Sequence, residues 1–146
     1  MKQSSTDKVI STAEEWFAKL PALPKDARVL IVKITPWVAL IFGILGIIGG
    51  VGALGILGGA SPFVIAGGGM QSLGGGMLAV IIGIISSVLL LAAFPGTRAH
   101  KEKGWKLLFW SEAVSTVGAL LAISLFGVLI ALIGFYLIFQ IKSYYK

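Results

Sequence analysis

From residue 34 to residue 97 the chain carries no Asp, Glu, Lys, Arg or His. A soluble fold cannot keep so long a stretch free of charge, because most of a folded surface faces water. The pattern inside it divides into segments of spanning length. Thr35-Pro36 reads as an N-cap followed by proline at the first helical position, opening a crossing over residues 36–57. Residues 58–76, GGASPFVIAGGGMQSLGGG, are uncharged. They are too rich in glycine for regular helix, while Phe63, Val64 and Ile65 are too apolar for a solvated loop. An interfacial, partly re-entrant connection is expected there. A second crossing follows over residues 77–94 and ends at Pro95-Gly96. Residues 95–106 then form a short basic loop.

Residues 107–141 hold a single charge, Glu112. As one straight helix they would run about 52 Å, against a hydrocarbon core of about 30 Å. The pattern therefore predicts two short crossings, 107–123 and 125–141, joined by a tight turn in the Ser124-Leu-Phe-Gly127 stretch. A tail over residues 142–146 closes the chain. Ahead of the first crossing, Val9, Ile10, Ala13, Trp16, Phe17 and Leu20 recur at helical spacing, with Lys8, Ser11, Glu15 and Lys19 opposite. This predicts an amphipathic helix over residues 5–20, capped by Ser5 or Thr6 and stopped by Pro21. Either the membrane surface or the end of the bundle can take its apolar face. The expected fold is all-α: one integral membrane four-helix bundle of two hairpins, with an N-terminal amphipathic surface helix.

Charge fixes the expected orientation. All 12 Lys and Arg residues fall before the first crossing, between the second and third, or after the fourth. The opposite turns hold none, so the positive-inside rule places both termini in the cytoplasm. The first apolar run begins too late for a cleavable signal, and the first crossing serves as its own insertion signal. A prokaryotic plasma (inner) membrane is the expected location. Net charge of +6 would suggest nucleic acid on a polar fold. Here the basic residues flank apolar runs, so their partners are anionic lipid head groups and no nucleic acid is expected. Trp16, Trp37, Trp105, Tyr144 and Tyr145 read as interface anchors.

Little in the sequence suggests catalysis. There are no cysteines, and the lone His100 among lysines has no partners for a metal. No phosphate loop, nucleophile triad or converging carboxylate pair occurs, so neither enzyme activity nor a cofactor is expected. Two other features carry candidate function. Gly43, Gly46, Gly49, Gly52, Gly55 and Gly58 recur every third residue, and Gly50 and Gly59 add two GxxxG spacings. A step of three falls about 60° short of a full turn, so these glycines wind around the helix as a groove for neighbouring helices. Glu112 is a carboxylate inside an apolar run, which needs water, a partner or a proton. Ser115 and Thr116 share its helix, and Tyr136 and Gln140 share one face of the last helix at comparable depth. Together they form a candidate polar cluster inside the membrane.

In outline, a short four-helix chain with one membrane carboxylate resembles the small multidrug resistance transporters. Their carboxylate lies in the first helix, whereas Glu112 lies in the third, and their activity is not carried over. The expected function is that of a non-enzymatic homo-oligomer or assembly subunit acting through glycine-mediated packing. The alternative is a small proton- or cation-coupled transporter or channel using Glu112, with the 58–76 connection as gate.

Overall fold

The computed structural model of the chain describes residues 4–59, 70–121 and 123–146, the side chains of 56–59 and 70–76 excepted. Among the described residues five α-helices follow one another: α1 (Ser5–Phe17), α2 (Lys25–Gly59), α3 (Met70–Arg98), α4 (Glu102–Leu121) and α5 (Leu125–Ile141), with a 3-10 turn at Lys142–Tyr144. Most of the connection expected to be re-entrant, residues 60–69, lies outside the described residues.

Helix α1 starts one residue ahead of the expected caps. Ser4 Oγ accepts from the Thr6 amide at 3.3 Å, and Asp7 sits in the first turn, where the helix dipole favours an acid. The helix α2 begins at Lys25 and runs straight through Pro36, which is not its first residue. Pro36 lacks only the N–H that would reach the Val32 carbonyl, and it is buried where α2 packs. Thr35 does not cap: its hydroxyl donates back to the Ile31 carbonyl at 2.6 Å. The helix would run about 52 Å, longer than the roughly 30 Å of a hydrocarbon core.

Helix α3 likewise passes the expected stop at Pro95 and ends at Arg98. The turn survives because Ala99 N donates to Pro95 O at 3.1 Å and Lys101 N to Gly96 O at 2.9 Å. Thr97 is buried there and donates to Phe94 O at 2.9 Å. Helix α4 begins within the stretch expected to be loop. The apolar run over residues 107–141 does break in two: Ile123 takes a positive φ of 51° at the corner. Ser124 caps α5 by accepting from Gly127 N at 3.1 Å.

The four long helices pack in chain order, each antiparallel to the last. Gly43 lies against Leu91 and Gly50 against Ile84; Gly104 meets Gly96 and Gly118 meets Ile82; Gly127 meets Ala119. The α2–α3 and α3–α4 contacts are broad, α4–α5 is narrower, and α2 meets α5 only along a thin seam. Up-down-up-down packing gathers residues 25–33, 98–106 and 142–146 at one end. Among the described residues three segments are long and apolar enough to cross a membrane: Lys25–Gly55, Met77–Arg98 and Leu125–Tyr144. Helix α4 is not among them, as Glu102, Lys103, Lys106 and Glu112 interrupt it.

The main core sits at the charged end, where Ile10, Val32, Trp105, Phe109, Ile141 and Tyr145 are buried together. Helix α1 lies across it. Phe17 stacks on Phe139 with ring centroids 5.2 Å apart, Asp7 pairs with Lys106 at 3.4 Å, and Glu14 pairs with Lys142. A hydrogen bond to Glu102 first, and the Asp7 charge beside it, hold the Lys106 ammonium above its ordinary pKa. Such exposed pairs are worth little each; Ile10, Ala13 and Phe17 do the docking. Trp16, on the same helix, turns outward and is 70% exposed. Further along the bundle, Phe42, Ile48, Leu129 and Ile133 face outward.

Candidate functional site

The glycines of α2 divide into two sets. A Cβ at Gly43 would lie 2.7 Å from Leu91 Cγ, at Gly46 it would run into the Ser87 hydroxyl, and at Gly50 into Ile84. These three seat α3 against α2. Among the described residues, a Cβ at Gly49, Gly52 or Gly55 would meet nothing within 4 Å. The winding groove thus has one filled flank and one empty one, as a three-residue step on a 3.6-residue helix requires. Gly58 and Gly59 have no described surroundings.

Glu112 projects from α4 towards Gly134 of α5, where any Cβ would collide with the carboxylate. Around it opens a cleft of about 230 Å³ between α2 and α5, walled by Ile31, Val38, Leu108, Leu137 and Ile141. The cleft follows the thin α2–α5 seam from the charged end down to the carboxylate. Thr35 is the other polar side chain on its wall, and its hydroxyl already donates to Ile31 O. Among the described residues the Glu112 carboxylate accepts no hydrogen bond. An acceptor in apolar walls attracts a proton or cation, since an unsatisfied charge there costs a few kcal/mol or more.

The expected cluster does not assemble around it. Tyr136 donates to Pro21 O at 2.6 Å, and Gln140 donates to the same carbonyl at 3.4 Å while accepting from Leu23 N at 3.1 Å. Arg28 Nε completes the clamp on Leu23 O at 2.9 Å. The proline-rich linker between α1 and α2 has no helix to satisfy its backbone, so α5 side chains do so. Tyr136 and Gln140 do share a face, but Gly134, two residues or about 200° away, is what α5 turns to Glu112. Thr116 donates to the Glu112 backbone carbonyl at 2.7 Å, and Ser115 is exposed.

The expected interface anchors also separate. Trp16 and Trp37 are exposed, Trp37 lying edge-on to Phe94 at 6.3 Å. Tyr144 is half-buried. Trp105 and Tyr145 are core residues instead, because the antiparallel pairing of α4 and α5 turns them inward at the charged end. Trp105 is 1% exposed and donates from Nε1 to Ile138 O at 2.8 Å. Burial raises the pKa of the Tyr145 hydroxyl.

Two further close contacts join α3 and α4, and the sequence points only to the second, because serines such as Ser86-Ser87 in an apolar helix bond to backbone carbonyls or across helices. Gly96 and Gly104 bring the backbones of α3 and α4 together, and a Cβ on Gly104 would run into Gly96 C and Thr97 N. Further along, Ser86 donates to Ser111 O at 2.8 Å and Ser111 donates to Ser86 O at 2.9 Å, with both side chains buried. Serine beside serine in an apolar helix was the available signal for the second; an isolated glycine in a charged stretch was too weak for the first.

No protein-family model, curated protein or solved structure matches the chain.

Proposed function

We infer that this chain is a non-enzymatic, four-crossing membrane protein that acts by helix packing, as a homo-oligomer or as a subunit of a larger membrane complex. In this reading α4 crosses beside the three more apolar segments. The charged end and both termini lie in the cytoplasm of a prokaryotic plasma membrane, with Trp16 of α1 in the membrane surface. The observation that carries it is the empty flank of α2 at Gly49, Gly52 and Gly55. A second helix can approach closely there and gain van der Waals contact that lipid does not match.

Native mass spectrometry from mild detergent tests this reading. The wild-type chain should appear as a defined oligomer or with a stoichiometric partner. Gly49→Ile combined with Gly52→Ile should weaken that association at least tenfold. The melting temperature of the single chain should hold, since a Cβ at either position meets nothing within 4 Å among the described residues. A strictly monomeric, partnerless wild type would overturn the reading.

The cleft favours a second reading, a small transporter or channel in which Glu112 exchanges a proton or cation. Proteoliposomes should then show proton or cation flux that falls at least tenfold in Glu112→Gln, with assembly unchanged. Equal flux in wild type and variant would remove Glu112 from any transport role.

A further inference from the structure

The last cation before the uncharged stretch is Lys33, and the first after it is Arg98. The fold brings the two to one pocket. Of about 330 Å³, it is bounded by Lys33, Pro36 and Trp37 of α2, Arg98 of α3, His100 and Tyr144. No carboxylate lines it, and among the described residues neither Lys33 nor Arg98 forms an ion pair. The cations at the same end that do have acidic partners are Lys106 and Lys142, with Asp7, Glu102 and Glu14.

The wall carrying His100 is held by backbone. His100 takes a positive φ of 54°, unfavourable for a residue with a Cβ. Lys146 N donates to His100 O at 3.0 Å, Glu102 N donates to Lys146 O at 3.3 Å, and His100 N donates to Thr97 O at 3.1 Å. The tail is thus tied to the α3–α4 corner, setting His100 and Tyr144 on the pocket's rim. On the apolar side, Trp37 leans on Phe94 along the α2–α3 seam.

Unpaired Lys and Arg with a neighbouring imidazole suit a phosphate: Arg offers a fork of donors and Lys a point charge. Their position at the boundary of the apolar stretch, beside an exposed indole, suits a phosphate carrying hydrocarbon chains. We propose that this pocket is a specific site for the phosphate of an anionic phospholipid, held by Lys33, Arg98 and His100 with the glycerol region against Trp37. It rests on the membrane reading above, and it assigns the general preference of the charged end for anionic lipid to one place.

The test uses the full chain in phosphatidylcholine nanodiscs or detergent, titrated with phosphatidylglycerol or extra phosphatidylcholine and read by native mass spectrometry. One phosphatidylglycerol per chain should be retained where phosphatidylcholine is not. Lys33→Gln with Arg98→Gln should weaken that retention at least tenfold. Lys19→Gln with Lys25→Gln, which removes the same charge elsewhere at the same end, should change it less than about twofold. Circular dichroism checks that both variants keep their helix content. Equal losses in the two variants would mean diffuse charge attraction and overturn the site, as would the absence of any phosphatidylglycerol preference. Retention against millimolar inorganic phosphate supports the lipid as the source; displacement by it keeps a phosphate site but moves the source to a soluble anion. Carbonate extraction of the same membranes reports separately on the membrane reading, which fails if the chain is released.

Discussion

Gly104→Ala should destabilise the bundle by about 3 kcal/mol, at the upper end of what overpacking costs. Elsewhere on an exposed helix the same change is favourable by about 1 kcal/mol, because glycine loses more backbone freedom on folding. The sign reverses here because the added methyl would run into Gly96 C and Thr97 N. Those are backbone atoms and cannot rotate aside as a side chain could. The reciprocal contact, a Cβ on Gly96 at 2.6 Å from Gly104 Cα, closes the other way out. Thermal unfolding in one detergent, followed by circular dichroism, compares Gly104→Ala with Gly49→Ala. The first should melt well below wild type and the second at or slightly above it. Equal melting points would mean that the α3–α4 corner is looser than this close approach requires.

Trp105→Ala should be as damaging, at about 3–5 kcal/mol, the range for deleting a large buried aromatic. Trp105 lies 5.9 Å from Phe109 and 5.6 Å from Phe139 between ring centroids, and its indole N–H ties α4 to the Ile138 carbonyl of α5. The Lys142 ammonium sits 5.3 Å from the ring centre. Trp105→Phe keeps much of the volume and loses the hydrogen bond, for which about 1 kcal/mol is expected beyond the change in packing. The two substitutions should therefore differ by several degrees in melting temperature. If Trp105→Ala behaved like a surface change, the core at the charged end would not be what holds α4, α5 and α1 together.

The features legible in the sequence are those set by composition along the chain. The break at Ser124 and the meeting of charged segments at one end each depend on residue type and order, whereas the cap of α1 falls on Ser4 and not on Ser5 or Thr6. What escaped depends on how each helix is turned about its own axis. The i, i+4 spacing puts Tyr136 and Gln140 on one face, but which neighbour that face meets is decided by Gly134 fitting against Glu112. Trp105 and Tyr145 have the residue types of interface anchors, yet antiparallel pairing of α4 and α5 turns them into the core. Pro36 and Pro95 misled for a related reason. A proline costs a helix about one hydrogen bond and a steric adjustment, and packing at Ala39, Ala93 and the Gly96–Gly104 contact outweighs that locally. The two flanks of the glycine groove followed from its three-residue period, but which flank α3 fills could not be read from it.

The seam between α2 and α5 has a mechanical consequence. With α3 and α4 locked to each other by serines and by touching backbones, the molecule is bound like a book along its spine, and α2 and α5 are its covers. Opening the covers breaks the fewest contacts in the bundle, and the page it exposes is the one that carries Glu112.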